Sequence, residues 1–262
     1  MNKIVSKLKD AMPLIMLIMA QMVIFTPLPI MVIQVMIAVN ICFSLFLFIT
    51  RFFPDTKAAY YFPRLAVYNS LCTCGIAIST TRTFLTIKSL EGHIPAVVKI
   101  GQWICRENYV SGFFTTLILS GTLLYFCKIY IKRVLERSAR ISLEQMSSKL
   151  ISIDEQLARN IITKEKAETE KNKIRKRTDN FDNLDHAAKF LFGTISAFIG
   201  LFLVAVIGGT TVGILDQNMN WRDALNQYIM LSSGYLVIFF IPLFLTALGF
   251  KISRTDLSVD ET

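Results

Sequence analysis

The side chains with the greatest capacity for chemistry are five cysteines, at positions 42, 72, 74, 105 and 127, and two histidines, His93 and His186. Thiolates and imidazoles hold metals or attack electrophilic carbon only when spacing brings several to one centre. Here it does not. The cysteine total is odd, no C-x-x-C pair occurs, and on a helix Cys72 and Cys74 would point about 200° apart. The histidines stand alone. The cysteines are therefore expected to be small apolar packing residues, with no metal, no cofactor and no enzymatic activity.

A second constellation is Gly208-Gly209-Thr210-Thr211-Val212-Gly213. A phosphate-cradling loop needs a lysine that reaches the phosphates, and none follows these glycines. Ala205, Gly209 and Gly213 recur every four residues, so they share one helix face where small side chains let a neighbouring backbone come close. Helix packing is the expected role.

A third is basic. The chain carries a net charge of +9, and 15 of its 28 Lys/Arg and 10 of its 19 Asp/Glu lie between Lys128 and Lys189. Bases interleaved with acids do not make a nucleic-acid surface. The dense cluster Lys171, Lys173, Arg175, Lys176 and Arg177 suits an orientation signal or a contact with anionic lipid headgroups.

The elements that must position these residues follow from composition. Of 262 residues, 53% are hydrophobic and 18% charged, too few polar groups to solvate a compact surface and too many apolar ones for disorder. Charge at a bilayer centre costs about 2.5 kcal/mol or more, so the oily runs are expected in lipid and the charged stretch in water. The fold class predicted is all-α, a polytopic membrane protein with about six spans and a charged helical cytoplasmic loop. The spans fall at 11–26, 30–50, 64–81, 109–131, 190–215 and 225–250. Thr26-Pro27-Leu28-Pro29 breaks the first apolar run, because prolines remove donors and disfavour helical geometry before them. Asn69, Ser70, Thr73, Ser79 and Thr80 dilute the third span, a composition expected of a helix buried among others.

Four regions result: a four-span membrane region 1–131, a charged cytoplasmic loop 132–189, a two-span hairpin 190–250 and a short polar tail 251–262. Placing both termini inside leaves only Arg82, Lys88, Lys99, Arg106 and Arg222 on the outer side, as the distribution of Lys and Arg around spans demands. The alternative for the first thirty residues, a cleaved signal peptide, lacks a small-x-small site before a soluble region. Within the loop, Leu143, Met146, Leu150, Ile153, Leu157 and Ile161 recur at helical spacing, giving an apolar stripe. Either a second loop helix around 164–177 or another subunit covers it.

That loop, Arg133-Val134-Leu135-Glu136-Arg137-Ser138-Ala139-Arg140 continuing to Lys149, Asp154 and Leu157, resembles without a gap that of the FHIPEP family, inner-membrane export-gate proteins of flagellar and virulence type III secretion systems. Ser79-Thr80-Thr81-Arg82, Gly101-Gln102-Trp103, Asn108-Tyr109-Val110-Ser111-Gly112 and Asp185-His186-Ala187-Ala188-Lys189-Phe190 are similar to further family motifs in the same order. Departures are equally specific. Ser147-Ser148 replaces a Pro-Gly, Gln156, Thr194 and Tyr235 replace acids, and Thr73 replaces an arginine.

The resemblance implies a component of a type III protein export apparatus in the bacterial inner membrane, multi-pass, acting with other export-apparatus membrane subunits and with copies of itself. It marks Arg82, Lys149, Asp154 and Asp185 as the functionally important charges. It also implies a divergent, truncated chain, since the family continues into a large cytoplasmic domain. Two other readings stay open: a structural assembly subunit or degenerate paralogue without transport, and an unrelated small-solute transporter.

Overall fold

A computed structural model describes residues 28–53, 57–87, 92–106, 108–140, 146–159 and 161–259. They form seven helices: α1 Ile30–Thr50, α2 Lys57–Thr86, α3 Pro95–Cys105, α4 Tyr109–Arg140, α5 Met146–Ala158, α6 Lys164–Leu215 and α7 Trp221–Val259. No strand occurs among the described residues. The all-α class therefore holds.

Four stretches are long and apolar enough to cross a membrane: Ile30–Thr50, Tyr109–Ile129, Asn183–Leu215 and Trp221–Phe250. The expectation was six. The 11–26 span lies outside the described residues. The 64–81 span exists as the middle of α2, whose 30 residues give about 45 Å of length, but its polar residues keep it below the apolarity of a lipid-facing helix. Asn69, Ser70, Thr73, Ser79 and Thr80 are all buried.

Buried polar groups need partners in a medium without water. Asn40 Nδ2 of α1 donates to Thr73 Oγ1 of α2 at 2.8 Å. Asn69 Nδ2 donates to Ser44 Oγ and to Thr246 Oγ1, both at 2.9 Å, joining α2 to α1 and α7. Thr116 Oγ1 of α4 donates to Ser233 Oγ of α7 at 2.8 Å.

The bundle is organised around α7, of whose most apolar stretch 72% is buried, against 22% to 39% for the other three spans. Aromatic rings pack along it: Phe62 with Phe250 at 5.1 Å, Phe198 with Phe239 at 5.9 Å and Phe84 with Tyr235 at 5.6 Å between centroids. The outward faces stay apolar, as Val110, Phe114, Ile118 and Tyr125 on α4 show. In lipid that exposure carries no penalty.

Local signals set the helix ends. Pro29, extended at φ −65° and ψ 147°, caps α1. Thr163 caps α6 by accepting from the Lys166 N–H, with Glu165 in the first turn. Asn218 takes the left-handed conformation (φ 53°) in the tight α6–α7 turn, which asparagine tolerates better than most side chains.

The region boundaries expected at 131/132, 189/190 and 250/251 all fall within continuous helices, α4, α6 and α7. The single helix α6 carries both the charged loop sequence and a membrane span.

Candidate functional site

Residues 146–158 and 164–177 pack against each other as a helical hairpin. Leu150, Ile153 and Leu157 of α5 are half-buried and Ala167 of α6 is fully buried. Thus the apolar stripe of the loop is covered by the chain's own second loop helix. Leu143 lies outside the described residues, and Ile161 is exposed. Ser147 and Ser148 are helical, in the first turn of α5.

At the edge of this hairpin Asp154 forms an ion pair with Lys171 of α6, while Lys149 points to the surface. An exposed pair of this kind contributes about 0 to 1 kcal/mol, because water screens it and both side chains lose rotamers. Asp154→Asn is therefore expected to lower the melting temperature of the purified protein only slightly, the apolar contacts of Ile153 and Leu157 holding the hairpin. A large loss of melting temperature would contradict this balance.

Asp185 pairs with Lys189 one turn on, at 2.7 Å, at the start of the apolar part of α6. Arg82 lies exposed on α2, two residues before Phe84, whose ring meets Tyr228 at 6.0 Å. Tyr228 also packs on Gly209 of α6, 24 residues beyond Asp185, or about 36 Å along the helix. The four charges therefore do not form one cluster. Asp154 and Lys149 mark the hairpin, Asp185 the start of the apolar part of α6, and Arg82 the opposite end of the bundle.

Ala205, Gly209 and Gly213 form the buried face of α6 toward α7. A Cβ at Gly209 would run into the Tyr228 ring, and one at Gly213 would sit 2.8 Å from Tyr228 Cε2 and 3.1 Å from the Ala224 Cβ. What occupies the groove is a tyrosine ring, where a neighbouring backbone was expected. Its hydroxyl accepts from Gln217 Nε2 at 3.0 Å.

Sequence reasoning passed over a tighter contact. A Cβ on Gly101 of α3 would meet the Met230 carbonyl, and one on Gly234 of α7 would meet the Val97 carbonyl. The available signal was Val97, Gly101 and Cys105 at four-residue spacing, all buried, in a segment read as a plain connection. Beside this contact, His93 is 3% exposed with neither ring nitrogen partnered, and Ser232 Oγ is also unpartnered. A cavity of about 20 Å³, room for roughly one water, is lined by Ser232, Tyr235, Thr81 and Phe84. Among the described residues, no group of three His, Cys, Asp or Glu side chains could hold a metal.

The FHIPEP family model matches residues 18–261, nearly the whole chain. The protein belongs to the FHIPEP family. Similar FHIPEP relatives include the hypersensitivity response secretion protein HrpI of Pseudomonas syringae pv. syringae, 34% identical over 232 residues, 87% of this chain and 33% of that protein. The flagellar biosynthesis protein FlhA of Bacillus subtilis is 30% identical over 244 residues, 92% of this chain and 35% of the relative. The invasion protein InvA of Salmonella typhimurium is 29% identical over 246 residues, 93% of this chain and 36% of the relative. The chain thus spans about a third of the length of these relatives. No solved structure matches it.

Membership gives the three neutral replacements inside this FHIPEP bundle a shared meaning. Thr73, where the resemblance expects arginine, accepts from Asn40. Thr194, in place of an acid, donates to the Phe190 carbonyl one turn earlier at 3.0 Å. Tyr235, in place of another acid, hydrogen-bonds with the Ile94 backbone. Each buried position is matched to a neutral partner, which avoids the desolvation cost of a charge in this interior.

Proposed function

We propose that this FHIPEP protein is a membrane subunit of a type III protein export apparatus, flagellar or virulence-type, working in the bacterial inner membrane beside other export-apparatus membrane subunits and further copies of itself. Both termini are cytoplasmic, 1–131 and 190–250 are its membrane regions, α2 crosses the membrane enclosed by its neighbours, the 132–189 segment faces the cytosol, and 251–262 forms its tail. The family match across both membrane regions and the loop between them carries this reading. In it, Asp154 and Asp185 act on export through the cytoplasmic hairpin and the point where α6 enters the membrane.

The test is export itself. In the native host, Asp154→Ala and Asp185→Ala should each reduce secreted substrate to the level of an export-deficient strain, with the membrane content of the protein unchanged. Because the Asp154–Lys171 pair adds so little stability, such a loss would not stem from unfolding. Undiminished secretion in both variants would remove these carboxylates from the mechanism.

One observation favours a second reading, a structural assembly subunit that does not move protons. Proton relays in membranes run through acids and histidines that can exchange protons along a path, whereas Thr73, Thr194 and Tyr235 are neutral and satisfied. Under this reading both Ala variants secrete normally, yet deletion of the chain still prevents the remaining membrane subunits from co-purifying.

A further inference from the structure

The connection between α2 and α4 holds the 11-residue helix α3, far too short to cross a hydrocarbon core of about 30 Å. Its contacts fix how it lies. Val97 meets Gly234 and, one turn later, Gly101 meets Met230, one turn earlier on α7. The helices are therefore antiparallel and nearly touch along their backbones. Ile94, just before α3, hydrogen-bonds with Tyr235. Gly234 stands thirteen residues past Trp221, so α3 begins about 20 Å along α7 from its start.

The apolar stretch Trp221–Phe250 is 30 residues long, about 45 Å, and exceeds the hydrocarbon core by about 15 Å. Centring it on the bilayer places Gly234 roughly 12 Å below the hydrocarbon surface, near the midplane, and Gly101 about 6 Å below it. Non-helical backbone survives at that depth only when enclosed by protein. His93 and Ile94, directly before α3, meet that condition, being 3% and 8% exposed.

From its deep start α3 climbs back to the surface. Its inner stripe, Val97, Gly101 and Cys105, is buried, while Lys99 and Trp103 on its outer face and Arg106, the positive-φ residue that ends the helix, are all exposed, with Trp103 at 78%. On the same scale Trp103 sits about 3 Å below the hydrocarbon surface and Arg106 just above it, the depths that an amphipathic indole and a guanidinium favour. Lys99, about 9 Å down, lies within reach of the headgroups through its flexible stem. No acidic residue occurs in α3, and neither Lys99 nor Arg106 forms an ion pair among the described residues.

We infer that α3 is a re-entrant half-helix whose Lys99, Trp103 and Arg106 side chains bind the phosphate and upper acyl chain of an anionic phospholipid. The cations supply the complementary charge and the indole the amphipathic wedge. This rests on the membrane placement proposed above. It adds a lipid-binding surface to the end of the bundle remote from the charged hairpin.

The chain contains two tryptophans, so single substitutions isolate each reporter. The full chain carrying Trp221→Phe is reconstituted in phosphatidylcholine vesicles with and without phosphatidylglycerol. Trp103 should be quenched about twofold more by bromines placed high on the acyl chain than by bromines near its end, and only weakly by aqueous iodide. Phosphatidylglycerol should shift its emission to the blue, and Lys99→Gln with Arg106→Gln should abolish that shift. Free quenching by iodide would overturn the insertion of α3, and quenching by neither agent would mean that protein covers Trp103. An equal response in both vesicle types would overturn the anionic ligand. If the membrane placement itself is wrong, alkaline carbonate will strip the protein from the vesicles.

Discussion

Gly234→Val should prevent the purified protein from reaching a stable fold, lowering its melting temperature in detergent far more than a change at an open glycine position. The reason is that the clash is with a backbone carbonyl, that of Val97, which no rotamer change relieves. Overpacking ordinarily costs about 1 to 3 kcal/mol when side chains can shift, and here α3 must separate from α7 instead. Gly101→Val meets the Met230 carbonyl from the other side and should behave alike. The control is Gly208, where an added Cβ meets nothing within 4 Å. Gly208→Ala should hold or raise the melting temperature, gaining up to about 1 kcal/mol of helix propensity. Equal melting of Gly234→Val and the unmodified chain would show that α3 does not lie against α7.

Tyr228→Ala should cost about 3 to 5 kcal/mol, the range for deleting a large buried aromatic ring. Tyr228 is fully buried, among the largest such side chains, and it fills the space between Gly209 and Gly213 while touching Phe84. Lipid cannot enter a gap enclosed by three helices, so the void persists. Tyr228→Phe keeps the ring and loses only the bond from Gln217, roughly 1 kcal/mol. The pair with Gly209 is the sharper measurement. Gly209→Ala should destabilise the normal chain but cost little once Tyr228 is alanine, a non-additivity expected only of residues in contact. Additive losses would mean that the ring does not occupy this groove.

Much of the architecture was legible because lipid imposes one simple demand. Pro29 does stand at the start of α1, and the 30–50 and 225–250 runs lie within helices found at 30–50 and 221–259. The apolar runs announced themselves by length. What escaped notice was α3, since its 11 residues are too few to announce a span and its buried stripe makes sense only against α7. The dilution of α2 was read correctly as burial, but the partners of Asn69 on α1 and α7 depend on tertiary placement. So does the Asp154–Lys171 pair, which spans 17 residues and arises from the packing of the hairpin. Of the charges marked by resemblance, position in the chain identified each residue, yet nothing in one dimension disclosed that Arg82 and Asp185 stand at opposite ends of the bundle.

The 52-residue helix α6 runs from Lys164 to Leu215 with no proline to interrupt it. About 20 residues at its start, some 30 Å, project ahead of the apolar stretch that begins at Asn183. Such an arm works as a lever pivoted at the membrane surface. A tilt of about 10° swings its charged tip by roughly 5 Å and drives the far end, with its glycine groove, the opposite way. A force applied at the Lys171 end is therefore delivered to the lipid-buried end as displacement, without any hinge to absorb it.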